Sequence, residues 1–172
     1  MLTIDSQIWI YYWDPNAKEH FNVIKWLNGD DQNSGILSSE TLVLSAIIPL
    51  EVAHNLFKMA LITKTLDTIQ IEELLLSLIS LENCQLIEVD QILVFDAIKN
   101  LKQYISKGIG GRDALILSTM ERLQTQSIAT HDKNLLSLKE LNRIDPVFDP
   151  PLELEIGSEF NYEEFKQKVS LL

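Results

Sequence analysis

Short apolar runs alternate along the chain with longer segments in which apolar side chains recur every three or four residues. The short runs are rich in β-branched residues and predict strands at residues 2–4, 41–47, 85–89 and 127–130. A fifth strand is predicted at 143–148, on the edge of the sheet, because Pro146 has no N–H to donate to a central ladder. Strands that alternate with helices predict an α/β domain of three layers, with a mostly parallel sheet and right-handed crossovers.

Boundary residues and helical periodicity place the intervening helices. Asp5 and Ser6 are suited to begin the first helix, and Pro49 to begin another with Glu51 in its first turn. Asp90 can cap a helix with one apolar stripe, formed by Ile92, Phe95, Ile98, Leu101 and Ile105. Further helices are predicted at residues 18–27 and 71–81, after Asp113 and after Asp132.

Four acidic residues, Asp5, Glu51, Asp113 and Asp132, each follow a predicted strand or begin a predicted helix. In open parallel sheets ligands bind beyond the carboxyl ends of the strands, so we expect these four side chains to converge on one edge of the sheet. Any one of them alone is equally consistent with a helix cap or a solvated charge. Their joint placement favours a metal site.

The chemistry of such a site follows from its donors. Two carboxylates about 4 Å apart repel by roughly 4 kcal/mol at an effective dielectric of 20, so a four-acid cluster should bind cations or titrate at raised pKa. Oxygen ligands with no cysteine partner favour Mg²⁺ or Mn²⁺, which can promote phosphodiester hydrolysis by water. We expect Asp5 and Asp132 to be the principal ligands and Asp113 to complete the site, with Glu51 binding directly or through water.

Three neighbours of the acids are candidates for supporting roles. Ser6 and Thr130 can hydrogen-bond to the ligating carboxylates, and Arg112 can meet a phosphate group. A simple ion pair with a carboxylate explains Arg112 about as well.

Size and charge restrict the classes of function. A chain of 172 residues fits one compact domain, and the lone Cys84 cannot form an intramolecular disulfide. No apolar stretch approaches the roughly 20 residues of a membrane span and no secretion signal stands at the N-terminus, so we expect a cytoplasmic protein. The net charge of −11 opposes indiscriminate binding of nucleic acid, although it does not exclude local binding.

Four motifs, taken in order, resemble those of the PIN-domain ribonucleases. They are Ile-Asp-Ser at Asp5, Ile-Pro-Leu-Glu-Val-Ala around Glu51, Gly-Arg-Asp-Ala-Leu-Ile-Leu around Asp113 and Ala-Thr-His-Asp at Asp132, and the resemblance extends over about residues 2 to 148. It implies a five-stranded parallel sheet in the order 3-2-1-4-5, one or two Mg²⁺ or Mn²⁺ ions and cleavage of single-stranded RNA. Many small members are toxins of toxin–antitoxin pairs and commonly form homodimers, so an antitoxin protein and a second copy of the chain are expected partners.

The chain is longer than a typical toxin of this family. We divide it into a PIN-like nuclease domain at residues 1–149 and an acidic extension at 150–172. The pattern of Asn161 followed by Glu163 and Glu164 predicts a short helix in the extension, and we expect that helix to dock on its own domain.

Two other functional classes are open to a fold of this kind. A phosphatase of the haloacid-dehalogenase type needs a second Asp two residues after the first, and Gln7 stands at that position. A non-catalytic PIN-like scaffold that binds protein or RNA would fit the acidic surface, but such modules usually lack one or more of the metal-binding acids.

Overall fold

A computed structural model describes residues 1–63 and 66–172. Within those residues six strands form one sheet in the order β3-β2-β1-β4-β5-β6. The strands are β1 (Leu2–Ile4), β2 (Leu42–Ser45), β3 (Cys84–Ile87), β4 (Ser127–Ala129), β5 (Asn142–Asp145) and β6 (Leu152–Leu154). The first five are parallel, and helices on both faces complete three layers, as the sequence predicts.

All helices but the last fall between strands, and all but the short one at Ile36–Ser39 lie close to predicted positions. Those before β3 are α1 (Ser6–Trp13), α2 (His20–Asn28), α3 (Ile36–Ser39), α4 (Ile47–Thr63) and α5 (Thr68–Ile79). Those after β3 are α6 (Gln91–Tyr104), α7 (Gly111–Arg122), α8 (Lys133–Leu136) and α9 (Tyr162–Val169), with a 3₁₀ turn (Ile105–Lys107) between α6 and α7. None of the helices in the described residues is long and apolar enough to cross a membrane.

The central strands are buried on both faces, which explains their nearly continuous apolar sequence. Leu2, Ile4, Leu42 and Leu44 are at most 3% exposed and belong to one hydrophobic core. Parallel pairing of Thr3 with residues of both β2 and β4 places β1 at the centre of the sheet. The carboxyl ends of β1 and β4 therefore lie side by side.

The predicted edge position of the fifth strand is wrong. β5 ends at Asp145, before Pro146, and it pairs on its other side with the antiparallel strand β6 from the extension. Pro146 therefore places no constraint on the ladder, and the extension supplies the edge of the sheet.

The apolar stripe of α6 faces outward. Ile92, Phe95, Ile98 and Ile105 are each at least 57% exposed, while Leu101 packs against the core. The periodicity in the sequence correctly indicates one apolar face, but that face is largely uncovered in the isolated chain.

Candidate metal-binding active site

The four acids predicted from the sequence line a single pocket at the carboxyl edge of the sheet. Asp5, Glu51, Asp113 and Asp132 surround a cavity of about 310 Å³, and Ser6 and Arg112 are also part of its wall. The acids come from the end of β1, from α4, from the first turn of α7 and from the loop after β4. The crossovers of the parallel sheet thus bring together residues that are up to 127 positions apart in the sequence.

Asp5 is the most enclosed of these acids, with 6% of its surface exposed. Its Oδ1 accepts a hydrogen bond from the backbone N–H of Ser6 at 2.7 Å, and its Oδ2 accepts one from the hydroxyl of Thr130 at 2.8 Å. The pKa of Asp5 is raised to about 6, chiefly by burial and also by the charges of Asp113 and Glu51, against the lowering effect of those two hydrogen bonds. An ionised Asp5 is therefore short of a positive partner.

Thr130 connects Asp5 to Asp132. Its fully buried hydroxyl donates to Asp5 and accepts from the backbone N–H of Asp132 at 3.0 Å. Asp132 in turn caps α8, since its Oδ1 accepts from the backbone N–H of Asn134 at 2.6 Å. One oxygen of Asp132 therefore caps a helix, which is the simpler of the two interpretations of this acid, and the same residue also lines the pocket.

Asp113 lies in the first turn of α7, as the sequence predicts. Its Oδ2 accepts from the backbone N–H of Gly110 at 2.9 Å. Before it, Gly108 adopts φ of +83°, a left-handed conformation that redirects the chain after the 3₁₀ turn. Burial raises the pKa of Asp113, and the carboxylates of Asp132 and Glu51 contribute in the same direction.

Glu51 reaches the pocket from a different helical position than predicted. The helix α4 begins at Ile47, two residues before Pro49, so Glu51 lies in its second turn and gains little from the helix dipole. Pro49 still falls in the first turn, where a missing N–H removes no helical hydrogen bond. The side chain of Glu51 is only 10% exposed and forms an ion pair with Arg112, which is 70% exposed.

The donor set suits a hard divalent cation. Four carboxylates share the pocket with one guanidinium group, so the site is left with excess negative charge that a cation would neutralise. No three His, Cys, Asp or Glu side chains among the described residues already stand in the arrangement of a metal centre. In this geometry one oxygen of Asp113 and one of Asp132 bind backbone N–H groups, and Glu51 is held by Arg112.

Three further polar residues of the pocket were not singled out as site residues from the sequence. Gln7, Tyr11 and Asn55 line it together with the acids. Asn55 is one helical turn beyond Glu51, a spacing that places both on one helix face, and its side chain donates to the backbone carbonyl of Glu51 at 2.8 Å. Gln7 carries a buried Oε1 without a hydrogen-bond partner, which the sequence could not have revealed.

A comparison with protein-family models finds one described as PIN domain, which matches residues 2–141. A search among curated proteins found no match.

Solved structures with the same fold include one described as a bacterial toxin and one described as a toxin–antitoxin complex. The Mycobacterium tuberculosis toxin VapC20, described as cleaving the sarcin–ricin loop, is 11% identical, with a TM-score of 0.60 over 80% of this chain and 95% of its own. A toxin–antitoxin complex from Klebsiella pneumoniae is 16% identical, with a TM-score of 0.55 over 85% of this chain and 98% of its own. FitAcB from Neisseria gonorrhoeae is 18% identical, with a TM-score of 0.55 over 85% and 98% of the two chains. At these identities the similarity shows the fold alone.

Proposed function

The chain belongs to the PIN domain family, and we propose that it is a metal-dependent endoribonuclease that cleaves single-stranded RNA. The observation that supports this proposal is the convergence of Asp5, Glu51, Asp113 and Asp132 on one pocket. Four acids contributed by four separate elements are more than helix capping requires, because a cap needs only one acceptor at its own helix.

Mg²⁺ or Mn²⁺ would be held by Asp5, Asp113 and Asp132, with Glu51 binding directly or through water. When bound, such an ion polarises a phosphoryl group and makes a water molecule acidic enough to attack it. The protein's own contribution is to orient the carboxylates. Thr130 holds Asp5 and the backbone of Asp132 together, and Ser6 fixes the second oxygen of Asp5.

Arg112 is the group that we assign to the substrate. It is mostly exposed and pairs with Glu51. If Glu51 took part in holding a cation, the guanidinium of Arg112 would be available to pair with a phosphate group of the RNA. A local positive charge of this kind offsets, at the site itself, the unfavourable net charge of −11.

We propose that the physiological role is that of a toxin controlled by an antitoxin protein in the cytoplasm. Support comes from the solved structures of the same fold, one of which is described as a toxin–antitoxin complex and another as a toxin. On the chain itself, Leu50 of α4 and Ile69 and Leu76 of α5 are each at least 59% exposed, and a protein partner could cover such apolar side chains. The role would be supported by a neighbouring gene that encodes a small DNA-binding protein, and by copurification of that protein with this chain.

We also propose a homodimer formed through the exposed stripe of α6. Ile92, Phe95 and Ile98 lie on one face of α6 and Ile105 follows in the 3₁₀ turn, and exposed apolar faces of this kind often mark protein interfaces. Light scattering coupled to gel filtration should give twice the monomer mass for the wild type. Ile98→Lys should give the monomer mass, and a wild-type monomer at micromolar concentration would refute the dimer.

The decisive experiment is cleavage of a mixed pool of single-stranded RNA with and without Mn²⁺. Wild type should cleave only with the metal, and Asp5→Asn should lose at least about 100-fold in rate, since it removes a ligand. Asp31→Asn, which changes an exposed acid outside the pocket, is the matched control and should cleave like wild type. Equal rates for wild type and Asp5→Asn would refute the mechanism, and RNA binding without cleavage would indicate the non-catalytic scaffold.

A further inference from the structure

The C-terminal extension packs against the segment that carries Asp132. The extension contains β6 and α9, both of which lie beyond residues 2–141, the part that matches the family model. Its contacts with the rest of the chain extend over residues 131 to 148, a stretch that begins beside Asp132 and includes β5.

The residue before Asp132 is held by an aromatic side chain of α9. The ring of His131 lies 5.3 Å from that of Phe165, centroid to centroid, and Phe165 is only 8% exposed. On its other side His131 meets the edge of Tyr11, a residue of the pocket wall, at 6.0 Å. Its Nδ1 also lies 2.7 Å from Oδ2 of the fully buried Asp145. His131 is thus enclosed by the sheet, the pocket wall and the extension.

The residue after Asp132 also contacts α9. The ammonium group of Lys133 lies 5.1 Å from the centroid of the Tyr162 ring, which is a cation–π distance. Tyr162 stacks on Phe165 at 6.5 Å, so the two contacts with the Asp132 segment belong to one aromatic cluster.

A buried arginine fixes the other end of the short helix α8. The guanidinium of Arg143 is fully buried and donates to the carbonyl of Leu136, the last residue of α8, at 2.9 Å. It also donates to the carbonyls of Glu155 and Ser158 in the extension, at 2.7 and 3.0 Å. The helix capped by Asp132 is therefore attached to the extension at its beginning and at its end.

We propose that residues 150–172 act as a brace that positions Asp132 for metal binding, with Phe165 and His131 as its main positioning residues. This inference rests on the proposed metal-dependent activity, which makes the orientation of Asp132 matter. A tail that only stabilised the fold could do so by packing on any apolar surface. This one contacts both sequence neighbours of Asp132, because Phe165 packs on His131 and Tyr162 contacts Lys133.

The first test measures backbone hydrogen exchange in residues 130–136 of the metal-free protein. The relevant amides are those of Asp132, bonded to Thr130, and of Leu136, bonded to the carbonyl of Asp132. Phe165→Leu, which keeps an apolar side chain but loses the ring, should accelerate their exchange about tenfold. Phe165→Tyr, which keeps the ring, should restore the wild-type rates.

Two control variants separate positioning from general stability. Leu78→Val removes part of a buried side chain in α5, away from the Asp132 segment, and should leave exchange in residues 130–136 unchanged. Glu159→Gln breaks the exposed ion pair of the extension with Lys139 and should also leave it unchanged. Equal exchange in wild type and Phe165→Leu, or equal acceleration by Leu78→Val, would overturn the brace.

The second test measures Mn²⁺ binding by titration calorimetry and cleavage kinetics on single-stranded RNA. Phe165→Leu should weaken Mn²⁺ binding about tenfold and lower kcat, while the KM for RNA at saturating Mn²⁺ stays unchanged. If the wild type binds Mn²⁺ and cleaves RNA, and Phe165→Leu binds Mn²⁺ with the same affinity, the inference is overturned. A wild type that neither binds Mn²⁺ nor cleaves would refute the proposed function instead, and hydrogen exchange would then decide the brace by itself.

Discussion

Asp5→Asn should make the metal-free protein more stable at neutral pH, although it removes a proposed ligand. The carboxyl group of Asp5 has a pKa of about 6 in the folded chain, against 3.8 for an ordinary Asp, because it is buried beside two other acids. The folded state therefore binds the proton more tightly than the unfolded state. The stability associated with this group is fully present below pH 3.8 and is lost as the pH rises through about 6.

The size of the effect follows from the shift. A displacement of about two pKa units corresponds to about 3 kcal/mol at pH 7.5, where Asp5 is ionised in both states. Asparagine has no charge to desolvate, but its amide replaces an oxygen that accepts from Thr130, which costs about 1 kcal/mol. We expect Asp5→Asn to raise the free energy of unfolding by about 2 kcal/mol at pH 7.5. At pH 4 most of the charge contribution is gone while the cost of the lost acceptor remains, so the variant should be less stable than wild type by about 0.5 kcal/mol.

Urea denaturation of both proteins in EDTA at pH 4, 5.5 and 7.5 measures this difference. Groups other than the pocket acids titrate alike in the two proteins. The pH dependence of the difference in their free energies of unfolding therefore comes from the pocket acids. Repeating the pH 7.5 measurement with Mn²⁺ should reverse the order of stability, because the ion binds the native wild type. If the variant is no more stable than wild type in EDTA at pH 7.5, then the buried charge of Asp5 does not destabilise the fold in the absence of a cation, and the reasoning is refuted.

Three other changes test separate parts of the structure. Thr130→Val removes the hydroxyl that joins Asp5 to Asp132 and should weaken Mn²⁺ binding about tenfold by calorimetry, with Thr130→Ser close to wild type. Arg143→Met leaves one buried and two partly buried carbonyl groups without their donor and should lower the free energy of unfolding by about 3 kcal/mol in urea, and a loss below about 1 kcal/mol would contradict this role. Mn²⁺ at about 100 times its Kd should stabilise wild type by about 2.7 kcal/mol and raise Tm accordingly, an increase that EDTA abolishes.

The sequence was sufficient to predict the parallel sheet and the convergence of the acids, because both follow from strand ends. Asp5 and Asp132 directly follow short β-branched runs, and parallel strands align those ends whatever the details of packing. The residue at which α4 begins was harder to predict from the sequence. Ile47 and Ile48 have strand propensity, but they are recruited into the helix ahead of Pro49, so Glu51 falls one turn later than predicted.

Other features depend on tertiary contacts that no local pattern contains. β6 has three residues after two prolines, and only its pairing with β5 makes it a strand. The burial of Arg143 depends on carbonyl groups of the extension that fold back over it. The stripe of α6 shows the same limit, because periodicity identifies an apolar face but not whether that face meets the core or another molecule.

The sixth strand also has a consequence for colloidal behaviour. Without it, β5 would present a row of unpaired N–H and C=O groups on which a second chain could add its own strand. In its place the sheet ends in a strand of three residues, which follows Pro150 and Pro151 and carries Glu153 at its centre. Short, charged edges preceded by proline are poor templates for aggregation. At this edge of the sheet, β6 therefore lowers the tendency of the chain to aggregate by strand addition.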